Sequence, residues 1–301
     1  MNVAVVITTH RRKELLCRTL KSVQLADRPE QLRSIYVLEN DTEQHSDVTT
    51  EFAELPIEYR FYSEANKSRA LNWLLPELSG MTVVFLDDDV IVPRCLLKRY
   101  CEAFERSRNE YAKVGFWGGA VMPDFEVPPP AWLLKKLPRS VTGWTLGDDY
   151  RIVGHPDFLG FNWAAKADAI EATGGFDESR GPGTNTVTIG QEYSSQRRLL
   201  NRGYLGLYIP GAPVLHYVPQ DRCSPEWALE RAEKNGRSFG LHYRSQWGRW
   251  IRYPAMLRYS WAKFRYRQNA NLNDHQDFLR AYEVKRWKGF VNGIDITSAN
   301  R

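Results

Sequence analysis

A chain of 301 residues with 43% hydrophobic and 26% charged side chains is that of a soluble globular protein able to bury a large core, as one sizeable domain or as a main domain with an appendage. Its 41 Lys and Arg against 36 Asp and Glu leave a net charge of +5, which suits a phosphate-bearing ligand or an anionic surface and gives no reason to expect nucleic acid. The four cysteines form no CxxC pair, residues 3–7 are too few for a signal-peptide core, and no run approaches the roughly 20 apolar residues of a membrane span, so a reduced, cytoplasmic protein is expected.

Val3-Ala4-Val5-Val6-Ile7 reads as a first buried strand, and Leu16, Leu20 and Val23 recur at helical spacing after it. Between them stand Thr8, Thr9, His10, Arg11 and Arg12. A strand that turns into a helix there offers backbone N–H groups to an anion, and the basic residues favour a nucleotide. The same Thr is also suited to plain helix capping. Ser34–Leu38 is a second strand ending in Glu39-Asn40-Asp41. Polar residues at the C-terminal ends of successive parallel strands meet in one crevice. Ile57–Tyr62 reads as a third strand, and Asn66–Leu75 as a helix that begins with Lys67 and Arg69.

Val83-Val84-Phe85-Leu86 then runs into Asp87-Asp88-Asp89. Three adjacent carboxylates at the end of a buried strand repel one another, and some would be pushed toward protonation without a counterion. Oxygen ligands there suit a hard ion such as Mg²⁺ or Mn²⁺, commonly shared with substrate phosphates. A solvated acidic turn is the simpler alternative, but strand residues flank the triplet on both sides. Pro93 fits the first turn of a helix striped by Leu97, Cys101 and Phe104. The order to about residue 105 is that of an α/β, doubly wound, mostly parallel sheet flanked by helices. Neither GxGxxG nor GxxxxGK[ST] occurs, which argues against a dinucleotide fold and a P-loop.

Farther on, Lys113–Met122 and Phe158–Ala165 read as strands, and Ala167–Thr173 as a short helix stopped by Gly174-Gly175. A Gly- and Pro-rich loop, Phe176–Thr184, precedes Gly190-Gln191-Glu192, which opens a helix. Tyr204–Ile209 and Pro213–Tyr217 read as strands, the second carrying His216. From Pro225 the pattern is helical and aromatic. Residues 249–267 hold no acid, and Met256, Leu257, Trp261 and Phe264 recur near helical spacing among Arg258, Lys263, Arg265 and Arg267. Such a segment fits either peripheral contact with the inner membrane face or a helix packed on the main domain.

Taken together, Ile7–Arg12, Glu39–Asp41, Lys67–Asn72, Asp87–Asp89, Gly174–Glu178, Gly190–Glu192 and His216 resemble, in order and spacing, the inverting family 2 glycosyltransferases of the GT-A fold over roughly residues 1–218. The resemblance implies a nucleotide-sugar-binding catalytic domain at 1–218 and a helical, aromatic and basic region at 219–301. It implies that Thr8, Thr9, His10, Arg11, Glu39, Arg69, Asp87 and Asp88 hold the nucleoside diphosphate. Asp87, Asp89 and His216 would hold Mn²⁺ or Mg²⁺, Glu192 would be the catalytic base, and Asn162, Trp163, Asp177 and Glu178 would face the acceptor. Relatives usually carry Asp at the positions of Glu39 and Glu192. The donor would be a nucleoside-diphosphate sugar, with UDP favoured, and the acceptor a carbohydrate or lipid-linked hydroxyl. Two alternatives stand beside this one: a sugar nucleotidyltransferase, for which a Gly-rich triphosphate loop is missing, and a silent nucleotide-sugar- or glycan-binding scaffold. A glycosidase would use two carboxylates flanking the sugar bond and no diphosphate cradle.

Overall fold

The computed structural model describes residues 1–45, 47–111, 113–183, 190–266, 271–272 and 274–296. Arg267 and Thr184 of the sequence reading lie outside them. In chain order the elements begin with β1 (Asn2–Thr9), α1 (Lys13–Gln24), β2 (Leu32–Asn40), β3 (Ile57–Tyr62), α2 (Lys67–Leu74) and β4 (Met81–Asp87). They continue with β5 (Val90–Ile91), α3 (Leu96–Glu110), β6 (Val114–Phe125), α4 (Ala131–Leu134), α5 (Arg139–Thr142), β7 (Arg151–Val153), β8 (Trp163–Lys166) and α6 (Ala167–Ala172). The last are α7 (Gln191–Asn201), β9 (Leu205–Val218), α8 (Pro225–Trp247), α9 (Arg252–Arg265) and α10 (His275–Asp295). Among the described residues two compact units result, one built from 1–124, 143–183 and 190–217, the other from 125–142 and the described part of 218–296.

In the first unit the sheet runs β3-β2-β1-β4-β8-β6-β9-β5, with β7 beside β9. β3, β2, β1 and β4 are parallel neighbours, and the sheet turns antiparallel where β8 joins β4. Both faces of β1 are covered, which explains its unbroken apolar run. Val3, Val5 and Ile7 face Leu16, Leu20 and Val23 of α1 together with Leu97, Cys101 and Phe104 of α3. Ala4 and Val6 face Ala70, Leu71 and Leu74 of α2. Since β1 lies between β2 and β4, the chain leaves its C-terminal end toward opposite sides, and a crevice opens there.

Two strand readings differ from the structure. Phe158–Asn162 is not strand, because Phe158 is tied to α7 instead: its amide donates to Gln196 Oε1 and its carbonyl accepts from Gln196 Nε2. Tyr204–Ile209 and Pro213–Tyr217 are one strand, β9, that passes through Gly211 at φ +72°.

The second unit rests on α8 and α10. A Cβ at Gly240 would stand 2.0 Å from the Phe290 carbonyl oxygen, and one at Gly293 2.1 Å from that of Arg237. Gly236 and Gly289 complete a Gly-x3-Gly step on each helix, so the two backbones approach more closely than any side chain would permit. α9 packs on this pair through Ala255, near Val291 and Ile294. Leu133, Leu137 and Val141 of α4–α5 join Leu229 and Phe278 in a separate cluster.

Candidate active site

The end of β4 is where the first unit concentrates charge. Asp87 accepts a hydrogen bond from Thr8 Oγ1 at 3.0 Å and is ion-paired with Lys67, the first residue of α2. Burial opposes ionisation of Asp87, but the charge and hydrogen bond of Lys67 overcome it and hold the carboxyl below its ordinary value. Asp88 is fully buried. It accepts from Thr9 Oγ1 at 2.7 Å and pairs with Arg12, which also reaches Asp89 at 2.8 Å. Burial, helped by the charges of Asp89 and Asp87, pushes Asp88 up to about 7 against the pull of Arg12. The turn is pinned from α1, where Thr19 Oγ1 donates to the Asp88 carbonyl (2.8 Å) and accepts from the Val90 amide (3.2 Å).

Lys67 and Arg12 are thus the cations that balance the triplet; the sequence reading counted Arg12 among basic residues favouring a nucleotide and Lys67 as the start of a helix, but paired neither with the carboxylates. The signal was present: three carboxylates in a buried turn call for cations, and the nearest Lys and Arg in the surrounding motifs were the ones to weigh. Asp87, expected to share a metal, is occupied here by Lys67 and Thr8. Asp89 stands apart. Its Oδ1 is buried, makes no hydrogen bond, and lies 3.6 Å from His216 Nε2. A carboxylate oxygen beside an imidazole nitrogen is a donor pair that suits a divalent ion. No three His, Cys, Asp or Glu among the described residues form a complete metal cage, so other positions on an ion held there would fall to water and substrate oxygens.

At the neighbouring strand ends, Glu39 is buried, accepts from the His45 amide at 3.0 Å and bonds the Tyr59 hydroxyl. Burial, reinforced by Glu39, raises the Tyr59 pKa. His10 Nδ1 donates to the Asn40 carbonyl at 2.7 Å, and Arg11 Nη2 donates to Asp41 at 2.9 Å. Arg69 sits farther out, pairing with Glu64 (2.7 Å) and Glu178 (3.3 Å).

A cleft opens beside the triplet, lined by Thr8, Lys67, Trp163, Phe176 and Glu192 among others. Glu192 lies in the first turn of α7, after Gly190 at φ +89°, and its charge is felt at Lys67. Gly160 leaves room for it, since a Cβ there would stand 3.3 Å from Glu192 Cδ. The loop after α6 is fixed by Asn72, whose Oδ1 accepts from the Phe176 amide at 2.7 Å and whose Nδ2 donates to its carbonyl at 3.0 Å. That approach requires Gly175, because a Cβ there would come within 2.5 Å of Asn72 Oδ1.

The four acceptor residues separate into different environments. Asp177 caps its own turn by accepting from the Ser179 amide and hydroxyl, and Glu178 accepts from Asn72 and Arg69. Trp163 is stacked on Phe85 at 4.9 Å and lines the cleft. Asn162 does not fit an acceptor contact. It is fully buried, with Nδ2 donating to the Ala120 carbonyl and Oδ1 accepting from Tyr100, so its side chain joins the sheet to α3.

Residues 4–174 match the model of a family described as glycosyl transferase family 2. No curated protein sequence matches the chain. Among solved structures, similarity extends to a mannosyltransferase from Pyrobaculum calidifontis in complex with GDP-Man and Mn²⁺, at 20% identity and a TM-score of 0.55, covering 81% of this chain and 64% of that one. It extends also to S. aureus TarS residues 1–349 in complex with UDP-GlcNAc, at 12% identity and TM-score 0.51 over 77% of this chain and 65% of that one. A third is GalNAc-T7 with UDP, GalNAc and Mn²⁺, at 13% identity and TM-score 0.54 over 82% of this chain and 51% of that one. The chain therefore spans between half and two thirds of the length of these structures, and they share its GT-A fold.

Proposed function

Because the chain belongs to glycosyl transferase family 2 and is a glycosyltransferase, we propose that it moves a sugar from a nucleoside-diphosphate sugar to an acceptor hydroxyl by a single inverting displacement, in polysaccharide or glycoconjugate assembly. The observation that carries this reading is the meeting of Lys67 and Glu192 in one cleft at the Asp87 strand end. A cation and a carboxylate so placed can serve the two ends of a displacement.

Thr8, Thr9 and the start of α1 face the diphosphate, with Arg12 and Lys67 supplying positive charge as negative charge grows on the leaving group. Glu39 holds the nucleoside. Asp89 and His216 would hold Mn²⁺ or Mg²⁺, which when bound supplies Lewis-acid charge at the departing phosphate oxygens. Glu192 takes the proton from the acceptor hydroxyl. The freed oxygen attacks the anomeric carbon as its bond to the diphosphate breaks, and Trp163 and Phe176 wall the sugar from water.

The test is turnover with a panel of UDP-, GDP- and dTDP-sugars, with Mn²⁺, Mg²⁺ and chelator. Released nucleoside diphosphate with transfer to a carbohydrate or lipid-linked acceptor is expected, with UDP as the favoured base. Pyrophosphate release from a nucleoside triphosphate supplied with a sugar 1-phosphate would instead identify a nucleotidyltransferase, and tight binding without turnover a silent scaffold.

A further inference from the structure

Among the described residues no helix is long and apolar enough to cross a membrane, yet α9 presents an outward face that an ordinary aqueous surface does not explain. Tyr253, Leu257, Trp261 and Phe264 follow one another at steps of four, four and three residues and are 66%, 74%, 61% and 87% exposed. That spacing makes one stripe along the helix. The opposite side, through Ala255 and Ala262, is buried, so the exposed stripe is not the face the helix needs for its own packing. Trp250, 79% exposed, extends the stripe past the helix start. The sequence pattern had put Met256 in this row. In the structure Met256 stands at the flank beside Arg252, and Tyr253 takes its place.

Within the segment itself the charge has one sign, and the acid that meets it is Asp295 of α10, paired with Arg252 at 2.9 Å. Residues 249–266 hold Arg249, Arg252, Arg258, Lys263 and Arg265 and no acid. The cations lie over aromatic rings: Arg265 over Trp261 at 4.6 Å, Arg258 over Trp287 at 5.4 Å and Lys263 over Tyr259 at 5.7 Å. Cationic heads held at the sides of an apolar stripe rich in Trp and Tyr form an interface in two layers, apolar in the middle and basic at the rim. A protein partner would have to supply an acidic frame around an apolar groove, whereas an anionic bilayer has that layering everywhere.

We propose that the outer face of α9 is a docking surface for an anionic lipid bilayer, lying in the interface with Tyr253, Leu257, Trp261 and Phe264 among the acyl chains and Arg258, Lys263 and Arg265 at the headgroups. The proposal stands apart from the reaction chemistry, because none of these residues lines the cleft.

The test is co-sedimentation of the full chain with phosphatidylcholine vesicles, with and without phosphatidylglycerol, at low and high salt. Wild type is expected to sediment with the anionic vesicles, to be released by salt, and to blue-shift its tryptophan emission when bound. Leu257→Ser/Trp261→Ser/Phe264→Ser removes the apolar half. Arg258→Gln removes one charge and should weaken partitioning about fivefold. All these side chains are exposed, and unchanged melting confirms that each variant folds. The proposal is overturned if wild type stays in the supernatant with anionic vesicles at low salt, or if the triple variant sediments as wild type does. It is overturned equally if light scattering finds a dimer that the triple variant dissociates, since the stripe then meets a second copy.

Discussion

His216 Nε2 lies 3.6 Å from the buried Oδ1 of Asp89, a separation set by backbone pairing. Val90 of β5 stands opposite His216 of β9, and the Tyr217 amide donates to the Asp89 carbonyl at 2.8 Å. Stacking on Phe161, with ring centroids 4.2 Å apart, holds the imidazole in place. Two donors so fixed would lose little freedom in holding a divalent ion. His216→Ala and Asp89→Asn are therefore expected to weaken Mn²⁺-dependent UDP binding by at least about tenfold. Titration calorimetry with and without Mn²⁺ checks this, and equal Mn²⁺ enhancement in wild type and variants would remove both residues from the metal site.

The β1–α1 turn makes a prediction about acid stability. Arg11 adopts φ +55°, the left-handed region that non-glycine residues seldom occupy, and its guanidinium grips Asp41. The hydrogen bond from Arg11 holds the Asp41 carboxyl well below its ordinary value of 3.8. A depressed carboxylate contributes stability above its unfolded value and loses it as pH falls through the folded one. Arg11→Gln should lower the melting temperature at pH 7, and the gap from wild type should narrow steadily below pH 3.8. A gap of constant size down to strong acid would assign the loss to packing instead.

Much of this site can be read from the sequence because its parts are local. The apolar runs of β1 and β4, the stripe Leu16, Leu20 and Val23, and the polar strand ends each declare themselves within a few residues, and the doubly wound half of the sheet follows. Partnerships across long separations do not. Lys67 meets Asp87 because α2 starts beside the end of β4, and Arg12 spans two carboxylates because α1 starts where β1 ends. Asn162, placed at the acceptor by the family resemblance, is a polar residue in an apolar run; such residues are often satisfied inside the core, and here Tyr100 and Ala120 take both ends of its amide.

The helix pair of the second unit predicts a stability effect far from the cleft. At Gly240 a Cβ would stand 2.0 Å from a backbone oxygen, which no rotamer change relieves. Gly240→Ala must push α8 and α10 apart and should cost about 1–3 kcal/mol despite alanine's better helix propensity. Ser245→Ala, on the exposed side of the same helix, should stay within about 0.5 kcal/mol. Calorimetric melts of the two variants give the comparison, and equal melting would mean that the close approach relaxes at little cost.

Glu192 carries the last prediction. A carboxylate in the first turn of a helix gains roughly 0.3–1 kcal/mol from the helix dipole whatever else it does, so its place at the start of α7 does not by itself make it a base. Three features separate the readings: it lines the cleft, its charge is felt at Lys67, and Gly160 clears space beside its carboxyl. The nearby carboxylates are engaged otherwise, Asp177 by Ser179 and Arg180 and Glu178 by Asn72 and Arg69. Glu192→Gln keeps size and shape while removing proton affinity, so it should bind a nucleotide sugar as wild type does and lose about 10²–10⁴ in transfer. Glu192→Asp keeps the carboxylate but withdraws it by a methylene, and a displacement of about 1 Å costs roughly 10². Pre-steady-state turnover with a saturating donor distinguishes the outcomes. A graded loss, with Asp above Gln, identifies the base, whereas near-normal turnover in Glu192→Gln with a small drop in melting temperature would reduce Glu192 to a helix-end charge.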